Sequence, residues 1–266
     1  MPKRLRQRLA AINRNKSRTS AFHFELSKPS GQLSAFVQGM WIASVAQPTP
    51  ITKPLYSDAG SGIIFNFVGD VMIDRDTLHE GVIMLPINKQ AQRIVLSPGA
   101  QLAGIRFHPA IGYGVLGRHY DKPTLLLPEQ DEQYRLYQIY NQLRLHKGSS
   151  SLEILNHWAN KNLDFTNIIP DSLDKALQCI EQDELLGQLS DSIDLSQRQI
   201  ERIFKLRLGM TPKYYQRILR VKKTIGFLRQ HPNPNLADVA QQFGFSDQAH
   251  MTREFRAIAC VTPKQV

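Results

Sequence analysis

Only two cysteines occur in 266 residues, Cys179 and Cys260, far apart and outside any Cys-x-x-Cys pattern. That scarcity argues against a disulfide scaffold and against a zinc site, and it fits a reducing compartment, the cytoplasm. Long apolar runs are missing as well. Stretches such as "GIIFNFV" from Gly62 fall well short of the roughly 20 residues a membrane-spanning helix needs, so no membrane partner is expected. The opening "MPKRLRQRLAAINRNKSRTS" has charge but no apolar stretch behind it, so it does not read as a secretory signal. The eight histidines form no HExxH and no paired spacing with the cysteines, and "GSG" at Gly60–Gly62 lacks the Lys-Ser/Thr of a phosphate loop. No nucleophile–base arrangement stands out between Leu33 and Pro170. The expectation is a protein with no catalytic residues, no bound metal and no cofactor.

What is present is charge, and it is segregated. The net charge is +10. Met1 to Arg18 holds seven basic residues and no acid, whereas Thr19 to Pro170 holds 12 of each sign. Ser196 to Gln230 carries ten basic residues against Glu201 alone, and Asp171 to Leu195 just before it carries seven acids and one lysine. A solvated surface mixes its signs; a local basic segment in a globular chain points to a polyanion.

The pattern of residues divides the chain. From Leu33 to Gly117, "GMWIASVAQ", "GIIFNFVGDVMI", "EGVIMLPI", "QRIVLSPG" and "QLAGIRF" are short, rich in β-branched and aromatic residues, and punctuated by Gly, Pro, Asn and Asp. They predict an antiparallel barrel or sandwich. From Glu129 the period becomes helical, with Tyr134, Tyr137, Ile139, Tyr140 and Leu143 on one stripe and a second helix opening at Ser151 as its cap. The three tyrosines suit either a dimer seam or packing on the barrel. Beyond Pro170 everything reads as helix: 173–182, 184–192, 196–207, 212–230, 235–242 and 246–258. The expected layout is therefore a basic tail over 1–20, a β-rich domain with C-terminal helices over 21–170, and an all-α domain over 171–266.

The helical part contains a duplication. Phe204 and Phe255, Thr211 and Thr262, Pro212 and Pro263, and Lys213 and Lys264 lie 51 residues apart; Leu186 and Leu236, Leu189 and Val239, Ile193 and Phe243, and Leu195 and Phe245 lie 50 apart. Each copy is a helix, a tight turn and a second helix. Small Ala240 suits a close helix crossing, Gly244 a turn needing positive φ, and Ser246 an N-cap; Ser190 and Asp194 take the first two places in the first copy. In each second helix one side is apolar (Ile200 and Phe204; Met251, Phe255 and Ile258). The opposite side is small, polar and basic: Gln197, Arg198, Glu201, Arg202 and Lys205, then Gln248, Ala249, Thr252, Arg253 and Arg256.

On "LSQRQIERIFKLRLGMTPKYY", "RILRVKKTIGFLR" and "NLADVAQQFGFSDQAHMTREFRAIACVTP", the chain from about Leu173 onward resembles the DNA-binding domain of the AraC/XylS family of bacterial transcription regulators. Two departures stand out: Cys260 occupies a position where the family usually has glycine, and only three residues follow Pro263. "IRFHP", "GYGVLG" and "LLLPE" resemble, less specifically, the cupin-like sensor domain of one branch of these regulators. The implied fold is α+β and multidomain: a cupin-like barrel with helices, then two helix-turn-helix motifs joined by a long helix.

Function follows from that resemblance as an expectation. The two recognition helices, about 196–207 and 246–258, would enter successive major grooves of double-stranded DNA, since a connecting helix of about 19 residues spans roughly 28 Å. Arg198, Arg202 and Arg253 suit guanine and Gln248 adenine, while the resemblance places Gln197, Glu201, Ala249 and Thr252 on the base-reading face too. Ser196, Lys205, Lys213, Arg217, Ser246 and Arg256 suit phosphates. Arg220, Lys222, Lys223 and Arg229 on the long helix suit solvent or DNA equally. The implied partners are promoter DNA, RNA polymerase for an activator, a small-molecule effector and a second copy of the chain. The alternatives are an effector-independent regulator controlled by abundance or a protein partner, and an enzyme domain tethered to DNA.

Overall fold

The computed structural model describes residues 21–116, 118–131, 134–146, 148–163, 168–184 and 186–266. The basic tail over 1–20 lies outside these residues.

Among the described residues ten strands form two antiparallel sheets. The larger has the order β1 (Phe22–Ser27), β2 (Val37–Val45), β9 (Gln101–Phe107), β4 (Gly62–Val68), β7 (Gly81–Leu85), β10 (Thr124–Leu126). The smaller has the order β3 (Ile51–Leu55), β8 (Gln92–Leu96), β5 (Val71–Ile73), β6 (Asp76–Leu78). The run "GIIFNFVGDVMI" is therefore two strands, not one: the chain turns at Gly69, φ +80°, and passes from one sheet to the other. Short β3, β6 and β10 carry too little alternation to stand out in sequence, whereas β1, FHFELS, alternates but lies outside the stretch from Leu33 to Gly117 expected to form strands.

β4 is apolar on both faces because both are covered. Ile64 joins Ala43, Ile83, Leu85, Leu96 and Leu102 between the sheets. Ile63, Phe65 and Phe67 point the other way, onto α1 (Ile111–Leu116), α2 (Leu136–Arg144) and α3 (Ser149–Asn162) through Val115, Tyr140, Leu143, Leu155 and Trp158. A strand buried on both sides reads as a continuous apolar run instead of an alternating one. The tyrosine stripe packs on the barrel: the Phe67 and Tyr140 rings lie 5.5 Å apart, and the Tyr137 hydroxyl donates to the Leu126 carbonyl at 2.6 Å. Ser151 lies inside α3, buried, and does not cap it; Gly148 holds that place.

The helical part comprises α4 (Asp171–Glu181), α5 (Leu189–Ile193), α6 (Gln197–Leu208), α7 (Pro212–Gln230), α8 (Leu236–Gln242) and α9 (Gln248–Ala259). The expected helix over 184–192 is a 3-10 turn at Leu186–Gln188 followed by the short α5. One apolar core joins all six helices, and Ala59 and Ala110 of the β-rich part are buried in it. The duplication is visible in the backbone. Asp194 and Gly244 are both left-handed, φ +54° and +72°, at equivalent turns. Thr211 and Thr262 both precede a helical proline, and the second copy continues only as a 3-10 turn, Pro263–Gln265.

Gly209 and Cys260 end the two recognition helices in the same left-handed conformation, φ +65° and +55°. Glycine adopts it without strain, whereas a side chain is crowded there. Cys260→Gly is expected to stabilise the protein by about 0.5–1 kcal/mol, read as a raised Tm in thermal denaturation.

Candidate nucleic-acid interface

Each recognition helix is held by its apolar side. In α6, Ile200, Phe204 and Leu208 are buried; in α9, Met251, Phe255 and Ile258 are. The opposite faces are open. Gln197, Arg198, Arg202 and Lys205 on α6, and Gln248, Ala249, Arg253 and Arg256 on α9, are exposed, with Glu201 and Thr252 half-buried. Among the described residues no ion pair engages Arg198, Arg202, Lys205, Arg253 or Arg256. Lys213, at the start of α7, is exposed as well.

The N-termini are built differently. Ser196 caps α6, its Oγ accepting from the Gln199 N–H at 3.4 Å while the Gln199 side-chain Oε1 accepts from the Ser196 N–H at 2.9 Å. Ser246 does not cap α9. Asp247 does, accepting from the His250 N–H at 2.6 Å, and that bond holds its carboxyl below the usual range. Ser246 and the His250 ring meet at 3.1 Å, which turns the imidazole back onto the helix start and away from the open face. Asp247, extended at φ −165° directly before the first helical residue, holds the cap position, and Ser246 stands one residue too early.

The connecting helix shows which basic residues are already engaged. Arg217, expected on phosphate, is forked onto Glu254 of α9 at 2.7 and 2.9 Å, and its guanidinium lies 5.0 Å from the centre of the Tyr214 ring. A phosphate would have to displace Glu254 to reach it. Arg220 covers the Phe245 ring at 5.6 Å, Lys223 pairs with Asp183 at 2.7 Å, and Arg229 stacks over Tyr56 at 5.2 Å. Lys222 reaches Gln38 at 3.4 Å. These four residues make contacts within the chain, a use that helical phase does not reveal.

The β-rich part also touches the ends of both recognition helices. The loop from β7 to β8 sends the Ala91 N–H to the Ile258 carbonyl at 2.6 Å, and its Lys89 carbonyl accepts from the Tyr214 hydroxyl at 3.4 Å. His119 meets the Leu206 carbonyl at 2.6 Å, and Arg207 lies over Tyr113 at 4.8 Å. All of these contacts fall at the C-terminal ends of α6 and α9 or at the start of α7, and the open faces are left clear.

Between the sheets lies a mostly apolar cavity of about 470 Å³. Trp41, Ala43, Ile64, Leu85, Leu96 and Leu102 line it, with Gln38, Lys53, Tyr56, Asp58 and Arg106 among its polar residues. Trp41 lies flat against β9 because Gly104 has no side chain; a Cβ there would come within 2.4 Å of the indole. Asp58 is forked by Arg106, with Nε at 3.1 Å and Nη2 closer still. Burial pushes the Asp58 carboxyl up, but the charge and hydrogen bonds of Arg106, with Lys222 and the Gly60 N–H adding to them, hold it below the usual range. Arg106 Nη1 is buried with no hydrogen-bond partner among the described residues. Sequence reasoning missed this pair: Asp58 and Arg106 lie 48 residues apart and belong to no local motif.

Comparison with known proteins matches residues 189–266 to a family described as "Helix-turn-helix domain" and residues 26–123 to a "Domain of unknown function (DUF6597)". The curated relatives include the HTH-type transcriptional activator RhaS of Escherichia coli O1:K1, 33% identical over 78 residues. Residues 189–266 thus form a helix-turn-helix domain similar to that of RhaS. That match covers 29% of this chain and 28% of RhaS, so the likeness belongs to this domain and not to the whole protein. Among solved structures, ToxT from Vibrio cholerae is similar over 92% of this chain and 97% of its own, at TM-score 0.47 and 11% identity. A cupin-2 domain protein from Rhodospirillum rubrum, Rru_A2000, is similar over 51% of this chain and 80% of its own, at TM-score 0.26 and 12% identity.

The Arg217–Glu254 fork ties the connecting helix to the second recognition helix. Glu254 is held below the usual carboxylate range, first by the Arg217 hydrogen bonds. A depressed acid stabilises the fold above its unfolded pKa and loses that contribution as pH falls through the folded value. Glu254→Gln is expected to cost about 1–2 kcal/mol at pH 7, allowing for solvent screening of a partly exposed pair. The difference from wild type should shrink below about pH 4, near the ordinary glutamate pKa, in urea unfolding at each pH.

Proposed function

We propose that this protein is a one-component transcription regulator that reads promoter DNA with α6 and α9 and is governed by its cupin-like N-terminal part. The observation that carries the reading is the pair of duplicated helices with open basic faces, each fixed from behind by its own apolar side. Arg198, Arg202 and Arg253 are assigned to guanine edges and Gln248 to adenine, with Gln197, Glu201, Ala249 and Thr252 completing the base-reading surface. Ser196, Lys205, Lys213, Ser246 and Arg256 hold phosphates. Arg217 is left out of that set because Glu254 occupies it. α7 has 19 residues, so it spans about 28 Å and sets the two helices at a distance suited to adjacent major grooves.

The cavity supports an effector-responsive regulator over one controlled by abundance. An apolar space with a few convergent polar groups is the usual form of a small-molecule site, and Arg106 offers it an unused donor. The effector class that fits is a compact apolar molecule bearing a hydrogen-bond acceptor. The regulator works in the cytoplasm, beside its DNA.

Selection of duplexes from random sequence in ~150 mM salt, which suppresses non-specific phosphate binding, should recover two short blocks about ten base pairs apart. Recovery of one block would leave one helix reading sequence, and no enrichment would overturn DNA reading by the full-length chain. On the selected site, Arg253→Ala should weaken binding by roughly 1–3 kcal/mol and relax preference at one base. Unchanged affinity and unchanged preference would remove Arg253 from the reading set. In a thermal-shift screen, small apolar acceptors should raise the Tm of the full chain if the cavity takes an effector.

A further inference from the structure

The cavity and the connecting helix share residues. Gln38, Tyr56 and Asp58 line the cavity, and each also faces α7. The Lys222 ammonium donates to Gln38 Oε1 at 3.4 Å, and Asp58 lies within the reach of its charge. The Arg229 guanidinium sits 5.2 Å from the centre of the Tyr56 ring. Between these contacts Ala59 is fully buried in the core that holds Ile218, Val221 and Ile225 of α7. The segment 56–60 is thus cavity wall on one side and helix seat on the other.

Asp58 is ion-paired to Arg106 on the cavity side and feels the charge of Lys222 on the helix side, where Lys222 is held by Gln38 and where Glu181 also lies near. Arg106 gives Nε and Nη2 to Asp58 and leaves Nη1 unpartnered among the described residues. A ligand acceptor that takes the open Nη1 shares the guanidinium with Asp58, so the hold of Arg106 on Asp58 changes with the ligand. A buried carboxylate keeps its partners because desolvation penalises it without them. The Gly60 N–H, which donates to Asp58 Oδ1 at 2.9 Å, ties the local backbone to that carboxylate.

We propose that the segment 56–60 is the coupling element between cavity and DNA, with Asp58–Lys222 and Tyr56–Arg229 passing the state of the cavity to α7 and so to both recognition helices. The proposal rests on the regulator reading above. Coupling between two binding sites is reciprocal, so a duplex bound at α6 and α9 must alter the seat even when the cavity is empty. This makes the idea testable without knowing the effector.

The experiment is amide hydrogen exchange on the full-length protein, free and bound to the selected duplex, following Tyr56 to Gly60. Duplex binding is measured separately by titration. The variant is Lys222→Met with Arg229→Met; both residues are exposed, and its Tm is checked against wild type. In the wild-type protein the duplex should change exchange at these amides by at least about 5-fold, the low end of ordinary coupling. In the variant the duplex should still bind and the change should vanish. A bound duplex that leaves residues 56–60 unaltered in the wild type overturns the proposal. A change that persists undiminished in the variant overturns it too, because the coupling then runs elsewhere. No binding of any duplex brings down the regulator reading itself, and the coupling with it, and the titration identifies that case.

Discussion

Nearly every other feature of the helical part depends on how α7 is buried. Tyr215, Ile218, Leu219, Val221, Ile225 and Leu228 are enclosed in the common core, each contributing on the order of 1.5–3 kcal/mol through burial. Its buried Thr224 returns its hydroxyl proton to the Arg220 carbonyl at 2.7 Å, and the Tyr215 hydroxyl donates to Glu181 of α4 at 2.8 Å. Each polar group is satisfied where it is enclosed, so the helix has one seating and not several. Both recognition helices take their positions from it: α6 runs into it through the Gly209 turn, and α9 is forked to it by Glu254.

The β-rich part is organised around a different constraint, a sheet covered on both faces. Helices α2 and α3 shield one face and the small sheet shields the other, which leaves the intersheet space as the place for a cavity. Tyr56 and Asp58 on the wall of that space belong to the segment that packs against α7. The cavity and the connecting helix are therefore adjacent in this chain, joined by side chains that belong to both.

Much of this was legible in local pattern. The duplication showed through the 50- and 51-residue offsets, because core positions and tight turns constrain residue type strongly: Ala240 at a crossing, Gly244 at positive φ, Pro after Thr at a helix start. Helix boundaries were less legible. Ser246 and Asp247 are both good capping residues, and only the backbone at 247 decides between them; Ser151 has the right chemistry but lies three residues inside a helix that Gly148 begins. The run from Gly62 to Ile73 hides a change of sheet, since a fully buried strand has no alternation to break. Cys260 shows the opposite case, where local chemistry disfavours the conformation and the surrounding core together with the Ala91 contact imposes it.

The sequence by itself determined the faces: a period of 3.6 puts Arg198, Arg202, Gln248 and Arg253 outward whatever else the chain does. Only the tertiary structure decided which cations remain for a partner. Arg217 meets a carboxylate 37 residues away and Lys222 an amide 184 residues away, while among the described residues no ion pair engages Arg253 or Arg202. The physical reason is that helical phase depends on neighbours in sequence, whereas the pairing of a charge depends on what the fold brings within about 4 Å of it.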